Sequence, residues 1–394
     1  ILDAVIVGGG PSGATAANDL ALKGRRVALL DRAGRIKPCG GAIPPRAIDM
    51  FEIPEEMLVA KITKARMISP KGRKVVIPIE NGFVGMVDRE DFDEWLRDRA
   101  EQNGALRLTG TFVRIDRDAD GVASVLYRPK DKGHDGELKS VRARCVIGAD
   151  GARSNVARQE IEGGADGRYV IAYHEIVESP APGAADFLPD QCDVYYDGRI
   201  SPDFYGWIFP HGPCASVGMG TEKTEFSVKQ ATADLRAMSG LDAAPTIRRE
   251  GAPIPLQPLK KWDNGRDVVL AGDAAGVVAP SSGEGIFYAM FGGRVAADAV
   301  DEMLATGRAK ALAKARTRFL RQHGGVFWIL GKMQDYWYID DNRRERFVAI
   351  CRDKDVQELT FDAYMNKELV KAKPLAHVRI FFKNLAHLTG LAPV

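Results

Sequence analysis

The alternation of hydrophobic and polar positions divides the chain into three kinds of stretch. Near the start, "LDAVIV" is almost wholly apolar, as expected of a strand buried on both faces of a parallel sheet. It runs into "GGGPSG" and then into apolar positions at helical spacing from about Ser12 to Leu22. A second apolar run, "RVALLD", completes a pattern of strand, glycine turn, helix, strand. Similar strand-like runs open "CVIGADGARS" (145–154) and "DVVLAGDAAGVVAPSSGEGI" (267–286). A different texture fills 60–85 and 169–262. There "YVIAYHEIV", "CDVYYDG", "YGWIFPHG" and "CASVGMG" set β-branched and aromatic residues between Gly and Pro, which predicts a mostly antiparallel sheet. Beyond Gly307 the period becomes helical to the end. The pattern predicts an α/β chain, α+β overall, with a Rossmann-like unit from 1–59, 86–168 and 263–306. A β-sheet substrate domain would come from 60–85 and 169–262, and a helical C-terminal region from 307–394.

Composition narrows this only slightly. The 394 residues are 45% hydrophobic and 27% charged, with a formal charge of +2, so nothing calls for nucleic acid. The charge is uneven, with 17 Lys and Arg against 9 Asp and Glu from Gly307 onward. Phe327, Trp328, Tyr336, Trp337, Tyr338, Phe381 and Phe382 are interleaved there. Two readings stand: a solvated basic face of packed helices, or a peripheral contact with anionic lipid. Cys39, Cys145, Cys192, Cys214 and Cys351 are scattered with no C-x-x-C pair. That speaks against a disulfide framework and against a metal site, and for a reducing compartment. With no apolar run of 18 residues and no signal-peptide pattern, the expectation is a cytoplasmic protein, at most peripheral on the cytoplasmic face of a membrane.

The chemistry begins at Gly8, Gly10 and Gly13, in G-x-G-x-x-G spacing between a strand and a helix. The first glycine permits the tight turn, the second lets backbone approach a pyrophosphate, and the third lets helix pack on strand. Asp31, followed by Arg32, ends the second strand eighteen residues past Gly13, where a carboxylate accepts from a ribose hydroxyl. Together with Asp150 in "GADG" and Asp273 in "AGDAAG", this resembles the three-part FAD signature of the para-hydroxybenzoate-hydroxylase superfamily. The resemblance implies FAD in the Rossmann site, with Asp273 on the ribityl chain. It also implies that the helix entered at "SSGEGI", through Gly283 and Gly285, aims its positive end at the flavin. "VDREDFDEWL" fits the superfamily's Arg-and-Asp helix start and makes Arg89 an FAD contact; the other reading is an ordinary helix capped by Asp88. No second G-x-G-x-x-G exists, so NADPH would visit transiently, or a protein donor would supply the electrons.

Two further motifs are more specific. "YGWIFP" (205–210), followed by Gly218 and Gly220, resembles the Y-x-W-x-F-P … G-x-G pattern of geranylgeranyl reductases, and "KPCGGAIP" (37–44) resembles the same family. The likeness is greatest to the branch serving chlorophyll and bacteriochlorophyll synthesis. It implies a flavoenzyme that saturates isolated double bonds of a geranylgeranyl chain, on diphosphate or on bacteriochlorophyll, to give phytyl. An isolated alkene demands a hydride and a proton delivered nearly together, and an apolar passage along which the chain slides. Tyr205, Trp207 and Phe209 alternate along one strand and share a face, suiting either a tunnel wall or ordinary sheet core. With Pro210, Gly218 and Gly220 they are the expected substrate-binding set. Cys39, on the hinge of Gly40 and Gly41 beside the cofactor, is either a proton donor, a gate, or a small residue tolerated in a cofactor loop. His174 and His211 are alternative acids.

Rival readings share the fold. Flavin-dependent halogenases carry W-x-W-x-I-P, from which Tyr205 and Phe209 depart, and aromatic monooxygenases lack the "KPCGG" loop. A membrane-associated electron-transfer flavoprotein would also suit the basic C-terminal region.

Overall fold

The chain passes alternately between two structural units, the first made of Ile1–Lys37, Arg89–Tyr169 and Pro253–Gly324, the second of Pro38–Asp88, Val170–Ala252 and the chain from Gly325 onward. The computed structural model describes residues 1–32, 36–80, 82–131, 134–135, 137–181, 183 and 186–357. The elements, in chain order, are β1 (Leu2–Val7), α1 (Pro11–Leu22) and β2 (Val27–Asp31). Next come β3 (Ala42–Ile43), α2 (Pro45–Phe51), β4 (Ala60–Ile62), β5 (Lys64–Ile68), β6 (Lys74–Pro78) and β7 (Val84–Met86). The third stretch holds α3 (Arg89–Gln102), β8 (Leu106–Arg117), β9 (Ala123–Asp131), β10 (His134–Asp135), β11 (Lys139–Gly148) and α4 (Asn155–Glu160). The fourth holds β12 (Tyr169–Glu178), β13 (Gln191–Tyr195), β14 (Gly206–His211), β15 (Cys214–Thr221), α5 (Val228–Ser239) and β16 (Thr246–Pro255). Last come β17 (Val268–Leu270), α6 (Ile286–Thr306), α7 (Lys314–Trp337) and α8 (Asp341–Ile350).

In the first unit the sheet order is β10-β9-β8-β2-β1-β11-β17, and the run from β8 to β17 is parallel. Its central strands are the apolar runs of the sequence: Ala4, Val5 and Ile6 are fully buried, as are Val146, Ile147, Val268 and Val269. From β1 the chain moves to β2 on one side and later to β11 on the other, so the strand order reverses at β1. Such a switch point leaves a crevice at the carboxyl ends of the two strands. Both the first glycine motif and the Asp150 turn sit at those ends.

The second unit is built on a sheet ordered β16-β12-β15-β14-β13-β5-β6, antiparallel from β12 to β13 and between β5 and β6, parallel between β13 and β5, with a small sheet β3-β7-β4. Alternation along the strands sends Ile208, Val217 and Val177 to one face, where they pack with Leu235 of α5. Trp207, Phe209, Ser216, Gly218 and His174 go to the other. Phe209 leans on Ile62, Ile79, Val84 and Met86, which join the small sheet to it. Helix α5 lies inside a stretch that the sequence pattern reads as mostly antiparallel sheet, with no helix singled out. Its signals are local: Ser227 Oγ accepts from Gln230 N, and Gly240 closes it in the left-handed region at φ 72°. Helix α8 docks on the second unit through buried Glu345, which pairs with Arg73 at 3.0 Å. Of the region 307–394 expected to be helical, the described part holds α7 and α8. Phe381, Phe382 and the rest of that region past 357 lie outside the described residues.

Candidate functional site

The first unit carries a cradle that its own packing only partly explains. Gly8 adopts φ 106°, and a β-carbon on it would sit 2.3 Å from Ala149 O, so the turn after β1 interlocks with the end of β11. A β-carbon on Gly13 would lie 1.8 Å from Gly8 O, which makes that glycine obligatory for seating α1 on β1. Gly10 is different, because the nearest described atom to its absent β-carbon is Asp93 Oδ2 at 4.0 Å. No packing contact among the described residues requires that glycine. Gly10 is also the N-cap of α1 and offers no side-chain cap, so the first N–H groups of the helix point outward uncapped. One residue into the helix, Ser12 Oγ is buried and bonded to none of the described residues. A bare glycine, an uncapped helix start and an orphaned hydroxyl fit a pyrophosphate.

Asp31 ends β2, where Arg97 Nη1 reaches Asp31 Oδ2 at 3.4 Å and Gly9 O at 3.1 Å. Burial lifts the Asp31 carboxyl above its ordinary range, against the opposing pull of neighbouring N–H groups and of Arg97. A ribose hydroxyl donating to it would offset that cost. Asp31, exposed Arg32, Arg97 and Arg107 line a cavity of about 450 Å³ with Leu108 and Thr109. Arg89 borders the same cavity, but its buried guanidinium forks onto Asp93 with two 2.7 Å bonds. That fork lies within its own helix.

Asp150 accepts from Ser154 Oγ, from Asn155 N at 2.7 Å and from Val156 N at 3.2 Å, so its carboxylate caps α4. Asp273 stands in the tight turn Gly272–Ala275, where its carboxylate holds the ammonium of Lys37. A β-carbon on Gly272 would sit 2.6 Å from Ser12 Cβ, and one on Gly285 3.9 Å from Asp273 Oδ1. The third segment is thereby drawn to the start of α1 and to the N-terminus of α6, whose N-cap Gly285 again lacks a side-chain cap. Gly283 takes φ 64° in the turn before it. Lys37, Arg97 and Ser12 belong to this cradle and are missed by sequence reasoning, since long-range partners reveal the first two and only the burial of its hydroxyl reveals Ser12.

In the second unit, register explains the aromatic motif. Trp207 of β14 and His174 of β12 both lie directly across from Gly218 of β15, and Phe209 lies across from Ser216. A β-carbon on Gly218 would meet His174 Cβ at 2.5 Å and Trp207 Cζ2 at 2.6 Å; one on Gly220 would meet Phe204 at 2.9 Å. The G-x-G track thus exists to make room for the rings. Tyr205, Trp207 and Phe209 form a ladder with centroids 6.0 and 6.1 Å apart, and Pro210 follows on the same strand. Burial drives the Tyr205 hydroxyl far above its ordinary pKa, so it stays protonated.

The "KPCGG" loop rests on that strand. A β-carbon on Gly40 would lie 3.0 Å from the Phe209 ring; one on Gly41, at φ 71°, would lie 2.5 Å from Val87 O and 2.6 Å from His211 Nε2. The N–H of Gly41 donates to Cys39 Sγ at 3.4 Å. Burial holds the His211 imidazolium below its usual range, so the ring is neutral at pH 7. Its Nδ1–H then donates to Phe209 O at 3.0 Å. The ring nitrogens of His174 lie 2.8 Å from Ser216 Oγ and 3.1 Å from Glu250 Oε2. Neither histidine has an uncommitted proton. No grouping of His, Cys, Asp and Glu among the described residues is suited to a metal ion.

Residues 2–317 match the FAD binding domain family. The chain is 62% identical over 391 residues to the geranylgeranyl diphosphate reductase of Rhodobacter capsulatus, covering 99% of this chain and 98% of that one. It is 36% identical to the geranylgeranyl diphosphate reductase of Synechocystis, with 100% of both chains covered. Among solved structures, a geranylgeranyl bacteriochlorophyll reductase-like protein of Thermoplasma acidophilum superposes with a TM-score of 0.80. That pair is 21% identical, covers 95% of this chain and 99% of the other, and speaks for the fold.

Proposed function

This chain belongs to the geranylgeranyl diphosphate reductase family of FAD-binding proteins, and from that premise we propose how its residues divide the work. It is an FAD-dependent oxidoreductase that saturates double bonds of a geranylgeranyl chain. The observation that carries this reading is the docking of the Cys39 loop on the Tyr205–Phe209 ladder, two separate family motifs built into one surface of the second unit.

FAD, when bound and reduced, supplies the hydride equivalent. Gly10, Ser12 and the start of α1 would hold its pyrophosphate, and Asp31 with Arg97 its ribose. Asp273, backed by Lys37, would accept from the ribityl hydroxyls. Gly283 and Gly285 would admit the ring system to the start of α6, where the helix dipole favours negative charge and Phe287 N already donates to Glu284 Oε1 at 3.0 Å.

Each reduction step adds one hydride and one proton across a C=C bond, so the step needs a proton donor, which regains its proton from water between steps. We assign that role to Cys39. Its sulfur accepts from Gly41 N–H, which leaves the S–H free to point elsewhere, whereas the N–H groups of His174 and His211 are committed. Tyr205, Trp207 and Phe209 form an apolar, rigid wall along which an isoprenoid slides while its double bonds are presented in turn. We take NADPH, visiting without a nucleotide domain of its own, as the reductant. The glycines of "SVGMG" are already accounted for by the rings of the second unit.

The pigment branch of the family favours geranylgeranylated bacteriochlorophyll alongside the free diphosphate as substrate. Exposed Trp328, with exposed Lys332 one turn further along α7, supports peripheral contact with anionic lipid on the cytoplasmic face. Flotation with phosphatidylglycerol vesicles, absent with phosphatidylcholine vesicles, checks that contact. No described helix is long and apolar enough to cross a membrane.

The test of the reaction is product mass after incubation with NADPH and each prenyl substrate separately. Products two, four and six hydrogens heavier support the stepwise reductase and identify the preferred substrate. NADPH oxidation that needs oxygen and leaves both substrates unchanged would favour a monooxygenase.

A further inference from the structure

The Trp207 indole is held at the end of a line of hydrogen-bonded side chains that spans four strands, β14, β15, β12 and β16. Its Nε1 lies 3.0 Å from Ser216 Oγ; Ser216 Oγ lies 2.8 Å from His174 Nδ1; His174 Nε2 lies 3.1 Å from Glu250 Oε2. Glu250 forms an ion pair with Arg248 at 2.8 Å, and Arg248 reaches toward Asp88 at 3.9 Å. Trp207, Ser216 and His174 are all buried, with Ser216 fully so.

Donor and acceptor chemistry leaves one arrangement for the neutral ring. An ionised carboxylate only accepts, so the proton of His174 sits on Nε2 and is donated to Glu250. Burial pushes the Glu250 carboxyl up, but the His174 hydrogen bond and the Arg248 charge outweigh it and hold it below the usual range, so it is ionised at neutral pH. Nδ1 is then an acceptor, and the Ser216 hydroxyl donates to it. With its proton directed there, the Ser216 oxygen turns a lone pair to the indole N–H. A buried indole N–H must find such a partner, and this fixes the ring's rotation about both side-chain bonds. Gly218 gives the ring its seat, because any side chain there would collide with both His174 and Trp207.

We infer that Ser216, His174 and Glu250 are positioning residues for the reaction: they lock the Trp207 ring in the orientation that shapes the prenyl wall. This rests on the reading of Trp207 as part of that wall. The line ends in an indole, which donates but cannot relay, so its role is orientation rather than proton delivery.

The test uses the FAD-loaded, full-length protein labelled with 5-fluorotryptophan, the Trp207 fluorine resonance being assigned by its loss in Trp207→Phe. Ser216→Ala is expected to shift and broaden that resonance. It is also expected to raise KM for geranylgeranyl diphosphate about 3- to 10-fold, the range of one hydrogen bond, with kcat within about 2-fold. Glu250→Gln keeps an acceptor for His174 and should leave the resonance near its original position, whereas Glu250→Leu should move it as Ser216→Ala does. An unmoved Trp207 resonance in folded Ser216→Ala and Glu250→Leu proteins would overturn the inference. If the resonance moves while KM is unchanged in both Ser216→Ala and Trp207→Phe, the line orients the ring as inferred, and the reading of Trp207 as a substrate wall fails instead.

Discussion

Gly40 and Phe209 are in contact: a β-carbon on Gly40 would stand 3.0 Å from the Phe209 ring, in the loop that carries Cys39. Gly40→Ala therefore pushes the loop off the aromatic strand by a few tenths of an ångström without disturbing backbone conformation. We expect kcat to fall about 10-fold, as for a small misplacement of a reacting group, while the melting temperature changes little. Gly41→Ala is harsher, since its φ of 71° and the 2.5 Å approach to Val87 O both resist a side chain. It should lower stability by about 1–3 kcal/mol, which a urea titration measures.

Cys39→Ala removes the proposed proton source. Loss of general acid catalysis costs about 100-fold or more in rate, and FAD content should remain that of the parent protein. A Cys39→Ala enzyme that still forms the fully reduced chain at the parental rate would remove the thiol from the chemistry.

The first glycine motif separates folding from cofactor binding. Gly13→Ala places a methyl 1.8 Å from Gly8 O and should prevent correct folding. Gly10→Ala meets nothing closer than 4.0 Å among the described residues. It should melt with the parent in the cofactor-free state yet bind FAD at least about 10-fold more weakly, a loss of about 1.4 kcal/mol. Fluorescence titration of the deflavinated proteins measures both.

That contrast also marks what was legible in the sequence. Gly8, Gly13 and Asp31 could be found because a tight turn and a strand end are local events, written within about thirty residues. Lys37 with Asp273, or Ser216 with His174 and Glu250, could not, because their partners come from distant stretches and no spacing rule joins them. Asp150 was placed correctly at a strand end, yet its carboxylate is occupied in capping α4. The motif Y-x-W-x-F-P … G-x-G was visible as a likeness, and its physical reason needed the register that sets Gly218 between Trp207 and His174. Helix α5 carries Val228, Ala231 and Leu235 at helical spacing, but it lies between strand-like runs whose β-branched and aromatic residues set the texture of the stretch.

Acid sensitivity should trace partly to Glu175 of β12. Burial raises its carboxyl, but Arg236 at 2.5 Å and Arg249 at 3.0 Å prevail and hold it below its ordinary value. A depressed carboxyl stabilises the fold above the unfolded value near 4.5, and the contribution disappears as pH falls through the folded one. Glu175→Gln removes the counter-charge of Arg236, which keeps Thr246 Oγ1 and the Leu241, Asp242 and Ala244 carbonyls as acceptors; it should cost about 1–3 kcal/mol at pH 7, with a shallower loss of stability below pH 4.5 than the parent shows. Urea midpoints between pH 7 and pH 3 check the sign.

The most direct measurement is anaerobic. The bound flavin is photoreduced, geranylgeranyl diphosphate or geranylgeranyl-bacteriochlorophyll is mixed in without oxygen, and flavin absorbance is followed alongside product mass. Reoxidation by a prenyl substrate, with a product two hydrogens heavier for each flavin oxidised, is the result this account predicts. A flavin that stays reduced with both substrates and reoxidises only when oxygen is admitted would contradict it.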